Sequence, residues 1–184
     1  MTFPPDKTPT LRLGRKTLIE NPRLRLHEDT VRMHSGRETI HWKVDYVREG
    51  VGVVPIDPDG KIILGLHYRY CAECWGWEIA AGSVEHGESV EKTARRELEE
   101  ETGHQAGRLD YILDYYPAPG LGNEHFHIYV GRELDHSPDR FDAEEIYEVR
   151  HFEWAEIEEL IEKRQVIDGF SLTALLLVKN LGYL

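Results

Sequence analysis

Gly82–His104 reads GSVEHGESVEKTARRELEEETGH, and this stretch decides how the rest of the chain is interpreted. Its second half has helical spacing. Val90, Ala94 and Leu98 recur at i, i+4 and i+8 and make one apolar stripe. Gly103 falls where a helix C-terminus calls for a left-handed residue. Glu97, Glu100 and Glu101 lie three and four positions apart, so they share a helix face. Like charges that close repel one another and weaken an isolated helix. A hard divalent cation removes that repulsion, because Mg²⁺ prefers carboxylate oxygen and water. Gly82 and Gly87 flank a loop that can bring backbone groups close to the same point.

The pattern resembles the Nudix box, G-x5-E-x7-R-E-U-x-E-E-x-G-U, in which U is a bulky apolar residue. Gly82, Glu88, Arg96, Glu97, Glu100, Glu101 and Gly103 match its fixed positions. Leu98 fills the first U, and His104 stands where the last U is usually aliphatic. Chance agreement at all fixed positions is on the order of one in 10⁸ per start position.

Outward from this stretch, the 184 residues suit one principal domain with a sizeable core. The net charge of -12 disfavours polyanionic partners such as nucleic acid or an anionic membrane surface. It is compatible with a small anionic substrate whose charge is met by bound cations. No apolar run is long enough for a membrane helix, and no secretory signal is visible. The 2 cysteines are too few for a disulfide framework, so a cytoplasmic location is expected.

Residues 1–10 hold three prolines and read as a flexible tail. Strand-like segments follow at 11–20, 23–33 and 38–48 and suggest a small N-terminal antiparallel sheet. In the last, Ile40, Trp42, Val44 and Tyr46 alternate with polar residues, which predicts a half-buried strand. Residues 49–184 form the expected catalytic domain. Strands at 50–56 and 61–70 flank Asp57-Pro58-Asp59-Gly60, a hairpin-like turn. A short strand over 77–81 leads into the box. Further strands are expected near 109–116, 124–131 and 146–153. Helices are expected from about 155, with Ile157, Leu160 and Ile161 on one face, and over 170–180, with Leu172, Leu175, Leu176 and Lys179 at helical spacing. Strands and helices without regular alternation indicate an α+β class. The resemblance implies an α/β/α sandwich with mixed sheets, plus the extra N-terminal sheet.

Other segments are similar to the ADP-ribose pyrophosphatase branch of the Nudix superfamily. Trp77–Gly82 resembles its E-x-P-A-G lead, with Ala80 in place of proline, and Tyr68-Arg69-Tyr70 resembles its Q-x-R segment. Pro119–Glu124 looks like its P-G-x-x-x-E loop, and Glu144–Val149 its E-x-x-E-V segment. In that branch the N-terminal strands exchange between two subunits, which implies a homodimer. The resemblance further implies Mg²⁺, or Mn²⁺, held by Glu97, Glu100, Glu101 and the backbone carbonyl of Ala81. Glu145, and next Glu144, are the candidates for the general base. Arg69, Glu78, Gly120 and Glu124 are candidate substrate contacts.

Several of these residues also have simpler readings. Trp42 is either a core tryptophan on an alternating strand or, by the resemblance, an adenine-stacking platform. Arg69 is either a surface arginine or a diphosphate ligand, a task suited to a guanidinium. Glu78 is either a solvent-facing strand residue or a group near metal and substrate. Arg96 and Glu88 are expected to orient the box rather than touch substrate. Cys71 and Cys74 read as loop cysteines, because one CxxC is half a zinc site; a metal shared with His67 is a remote option. His125 and His127 share a strand face and read as ordinary surface or core residues. The implied reaction is hydrolysis of a nucleoside diphosphate sugar, ADP-ribose to AMP and ribose 5-phosphate. GDP-mannose or ADP-glucose is the alternative within the class. A non-catalytic nucleotide sensor is the alternative outside it, against which the intact glutamates and absent basic segment argue.

Overall fold

The computed structural model describes residues 9–137, 141 and 144–184. Most of the predicted N-terminal tail therefore lies outside the described residues. Contacts divide the chain into two compact units: one runs up to Arg48 and includes Ala118–Glu124, and the other holds Glu49–Pro117 with His125–Leu184. Residues 118–124 thus pack with the N-terminal strands, although the sequence assigns them to the larger domain.

The smaller unit is a three-stranded antiparallel sheet of β1 (Leu11–Glu20), β2 (Leu24–Arg32) and β3 (Glu38–Tyr46). Its buried residues do not follow the predicted apolar alternation. Ile40 is 49% and Trp42 57% exposed, whereas His27, Asp29 and Val31 of β2 are buried. The half-buried reading of β3 and the core reading of Trp42 are both corrected: Trp42 pairs with Glu28 on a face that carries Ile40, Val44 and Leu26 and is left largely open. The opposite face gathers polar groups. Arg15 donates from Nε and Nη2 to both oxygens of Asp29 and from Nη1 to Asp45, while His27 approaches Asp45 at 3.1 Å. The Ala118–Glu124 loop docks on the edge of β3. Val44 N–H donates to the Leu121 carbonyl, and Asn123 Oδ1 accepts from Tyr46 N–H at 2.6 Å. Gly122 is required here, because a Cβ would lie 2.4 Å from the Val44 carbonyl oxygen.

In the larger unit, β4 (Gly50–Pro55) is the central element. It lies between β7 (Ala80–Ser83) and β9 (Phe126–His136), antiparallel to the first and parallel to the second, with β8 (His104–Tyr115) beyond β9. An almost wholly apolar strand suits burial on both faces. Val51 and Val53 join Ala94 and Leu98 of α1 (Val90–Thr102) in one cluster. Val54 joins Ala174, Leu175 and Val178 of α3 (Gly169–Asn180) in another. The alternation of side chains along β4 therefore builds the two helix-covered layers of the sandwich. Gly52 admits Phe170, whose ring would be 2.8 Å from a Cβ there.

A second, antiparallel sheet contains β5 (Ile62–Arg69), β6 (Cys74–Glu78) and β10 (Glu148–Phe152) in the order β10-β5-β6, and α2 (Trp154–Glu162) follows β10. The Asp57–Gly60 turn forms as predicted, with Asp57 Oδ1 accepting from Asp59 and Lys61 N–H and Gly60 at φ +83. Beyond a single Ile56–Ile62 bridge, however, its flanking strands part into different sheets instead of forming a hairpin. The predicted 77–81 strand is likewise two strands that change sheet at Ile79. Cys74 opens β6, which corrects its reading as a loop cysteine; Cys71 is exposed in the preceding turn. In α2, Ile157 is buried as expected. The buried face of α3 is Ser171, Ala174, Leu175 and Val178, and Leu176 is 53% exposed, so that face is rotated from the predicted one. No helix among the described residues is long and apolar enough to cross a membrane.

Candidate active site

The acidic helix α1 begins at Ser89, whose side chain accepts the Lys92 N–H at 3.2 Å, and ends at Gly103 in the left-handed region with φ 67. Ala94 and Leu98 are fully buried, and Val90 packs against the same cluster, as the stripe requires. Burying that stripe turns the neighbouring positions 97 and 101 toward β7.

Glu97 and Glu101 are both buried carboxylates. Glu101 Oε2 accepts the Ala81 N–H at 2.8 Å, which ties the last turn of α1 to β7. Burial pushes the Glu101 carboxyl up to about 8, with the charges of Glu97 and Glu78 adding to the shift and the Ala81 N–H and Arg69 opposing it. Burial likewise raises Glu97; Arg96 opposes the shift, and the charges of Glu100 and Glu145 reinforce it. Gly82 is explained by the same contact: a Cβ would stand 2.0 Å from Glu97 Oε1, so any side chain there displaces this carboxylate. Glu100 is partly exposed at the outer edge of the group.

Arg96 ties the acidic residues together. Its Nη1 lies 2.8 Å from both Glu97 Oε1 and Glu100 Oε2, and its Nη2 lies 3.3 Å from Glu88 Oε2. Burial works against its charge, yet Glu100 and Glu97 hold its pKa above the ordinary arginine value. Glu88 also accepts from Thr93 Oγ1 at 3.0 Å, so the box loop is fastened to the first turn of α1.

Arg69 and Glu78 meet across the β5–β6 pair. Nε and Nη2 of Arg69 donate to the two oxygens of Glu78 at 2.9 and 2.5 Å. Glu78 is buried, which corrects its solvent-facing reading. The Glu78 hydrogen bond, opposed by burial, raises the Arg69 pKa, and the charges of Glu78, Glu101 and Asp168 act in the same direction as the bond. A cavity of about 510 Å³ opens beside this pair, lined by Arg69, Glu78, Ala81, Tyr115, Phe126 and Asp168 among others. Asp168 was not singled out in the sequence. It caps α3 by accepting the Ser171 N–H at 2.8 Å, its carboxyl is raised by burial, and its Oδ1 has no hydrogen-bond partner among the described residues. The cap was readable from an aspartate ahead of an apolar run, but its place in the cavity was not.

Glu145 and Glu144 lie on an exposed turn, with Ile146 buried beside them and Tyr147 N–H donating to the Leu66 carbonyl at 3.0 Å. The charge of Glu145 is the smallest of the effects that act on the Glu97 carboxyl. In the smaller unit, Trp42 and Gly120 line one cavity of about 190 Å³, and burial raises the Glu124 carboxyl. The predicted site residues thus form two groups, one in each unit.

The donor set on α1 suits a hard divalent cation. Buried carboxylates are costly as anions unless a cation meets them, and the raised pKa of Glu101 expresses that cost.

The description "NUDIX domain" matches residues 47–176. The chain is 37% identical over 121 residues to "ADP-ribose pyrophosphatase" of Bacillus subtilis, an alignment that covers 65% of each chain. It is 29% identical over 155 residues to "Methanol dehydrogenase activator" of Bacillus methanolicus, covering 82% of each. It is 30% identical over 135 residues to "ADP compounds hydrolase NudE" of Escherichia coli, covering 72% of this chain and 71% of the relative. A solved structure titled "Crystal structure of ADP compounds hydrolase" superposes with a TM-score of 0.84 at 23% identity, covering 96% of this chain and 98% of that one, which establishes the shared fold. The matched domain contains β4, β7 and the whole acidic helix, and on these grounds the chain belongs to the Nudix family.

Proposed function

We propose that the protein hydrolyses the diphosphate bond of a nucleoside diphosphate sugar, with ADP-ribose giving AMP and ribose 5-phosphate. The observation that carries this reading is the pair of buried carboxylates, Glu97 and Glu101, packed against Ala81 and Gly82 beside a cavity lined by Arg69. The names of the Bacillus subtilis and Escherichia coli relatives support the choice of an ADP compound.

Glu97, Glu101, Glu100 and the Ala81 carbonyl would hold Mg²⁺ or Mn²⁺. When bound, the cation supplies charge neutralisation for the diphosphate and the leaving oxygen and acidifies the attacking water. The chain's own groups do the rest. Arg69 orients a phosphate oxygen, and Glu78 holds its guanidinium plane. Arg96 holds Glu97 and Glu100 in position. Glu145 takes the proton of the water as its oxygen bonds to phosphorus and the bridging P–O bond breaks. Trp42, with an open π-face on β3, serves as an adenine platform beside Gly120, which lines the same cavity, and Glu124 is a further substrate contact. A cytoplasmic location accords with the two free cysteines.

The N-terminal sheet is proposed to pair with that of a second copy by strand exchange. Leu11, Leu13, Ile19, Ile40 and Trp42 are all more than two-fifths exposed, an apolar set that association would cover. Sedimentation equilibrium is expected to give twice the chain mass; a monomer at micromolar concentration would refute the exchange.

The test of the activity is a panel of ADP-ribose, ADP-glucose, GDP-mannose, diadenosine polyphosphates and nucleoside triphosphates with Mg²⁺, read as phosphate released by added phosphatase. ADP-ribose is expected to give the highest kcat/KM. Preference for another diphosphate sugar would move the substrate, and no turnover with Mg²⁺ or Mn²⁺ would overturn the enzymatic reading.

A further inference from the structure

We infer that Glu49, His125 and His127 form a binding site for a first-row transition ion of the Zn²⁺ type, made of residues separate from the acidic helix. The sheet register creates it. Parallel pairing of β4 with β9 places Gly50 beside Phe126 and Val51 beside His127, and Gly50 N–H donates to the His125 carbonyl at 2.8 Å. Glu49 therefore stands next to two histidines that share one face of the other strand. In sequence they lie 76 and 78 positions from Glu49, which is why the histidines read as ordinary surface or core residues there.

The potential ligand atoms all lie within 4.8 Å of one another. Glu49 Oε2 is 2.5 Å from His127 Nε2 and 3.6 Å from His125 Nδ1. Ligands at Zn–N and Zn–O bond lengths stand about 3.0–3.4 Å apart, between these two separations. The side chains of both histidines are more than four-fifths buried, and their ring centroids are 4.5 Å apart.

The surroundings of His125 are what point to a metal. Its Nε2 is 2.6 Å from Asp114 Oδ2, and Asp114 Oδ1 accepts from Tyr111 Oη at 2.5 Å. Tyr116 stacks on the ring at 4.6 Å and 11°. On the other side of the ring, Nδ1 faces Glu49 Oε2 at 3.6 Å, too far for a direct hydrogen bond. A divalent ion between them would be a common partner of both atoms, and the Asp114–His125 pair is the outer carboxylate–imidazole arrangement that orients a metal-bound histidine. Two imidazoles and one carboxylate suit zinc, cobalt, nickel or iron(II), whereas Mg²⁺ favours an all-oxygen set. The remaining positions are open to solvent on the Glu49 side, whose side chain is 51% exposed.

The experiment loads the full chain with Zn²⁺ in the presence of millimolar Mg²⁺, which competes for the acidic helix, removes loose metal by gel filtration and measures bound zinc by mass spectrometry. Wild type and Glu101→Gln are expected to retain one zinc per chain. The double variant His125→Ala/His127→Ala is expected to retain none, and Glu49→Gln to bind at least about tenfold more weakly. Circular dichroism checks the fold of each variant. A measurement that needs no variant is nitrogen NMR of the wild-type imidazoles, in which two histidines should shift on addition of one equivalent of zinc. Equal zinc in wild type and the double variant, no retained zinc in wild type, or no imidazole shift would overturn the assignment.

Discussion

Glu101→Gln is expected to lower metal-dependent turnover by about 10³-fold while leaving the chain folded. Charge stabilisation by a bound cation is worth several kcal/mol, and each 1.36 kcal/mol is roughly tenfold in rate. The amide oxygen of glutamine can still accept the Ala81 N–H that Glu101 Oε2 accepts, so the link from α1 to β7 survives. The variant also exposes a pH effect. Burial raises the folded-state pKa of Glu101 to about 8, so the native chain binds a proton there that the unfolded chain releases near 4.5. The metal-free wild type should therefore lose stability as pH rises from about 4.5 to about 8, and level off above that. A neutral glutamine has no proton to lose, so this part of the pH dependence should vanish, and above pH 8 the metal-free variant should melt higher than wild type. Protons compete with the cation for the same oxygens, so apparent Mg²⁺ affinity should rise with pH up to about 8 in wild type. Calorimetric melting at several pH values, with and without Mg²⁺, and initial rates check both statements. Retained turnover would remove Glu101 from the metal set, and an unchanged melting profile would show that it is ionised in the metal-free protein.

Glu145→Gln is expected to cost about 10²- to 10⁴-fold in kcat, the range of a lost general base. Its stability should be unchanged, because Glu145 is exposed on a turn anchored by its neighbours Ile146 and Tyr147. A readout specific to its role is the split between kcat and KM: with Mg²⁺ saturating, kcat should fall while KM for the substrate stays near the wild-type value. Glu144→Gln is the matched comparison and should cost less. If Glu144→Gln proves the more damaging, the base is Glu144; if neither lowers kcat, the turn does not supply the base.

The acidic helix was legible because its determinants are local. An apolar stripe, a left-handed C-cap and three glutamates at fixed spacing all act within a few turns of chain. The same holds for the strands at 11–20, 24–32 and 62–69, each close to its expected span. Pairing was less legible. The Asp57–Gly60 turn looked like a hairpin because turn chemistry is local, but which partner each flanking strand takes depends on buried faces elsewhere. Alternation on β3 predicted a half-buried strand because apolar periodicity records that a face needs covering without naming what covers it.

The sequence by itself determined the family's acidic motif, most element positions and the clustering of Glu97, Glu100 and Glu101 on one helix, since these rest on short-range spacing. Only the tertiary structure decided that Glu78 is buried against Arg69, that Asp168 lines the cavity beside them, that Gly82 must lack a side chain because Glu97 occupies its place, and that Glu49 meets His125 and His127. Each of these joins residues distant in the chain. Their proximity is set by strand register and by which side chains β4 turns to α1 and which to α3, and neither is encoded in any one segment.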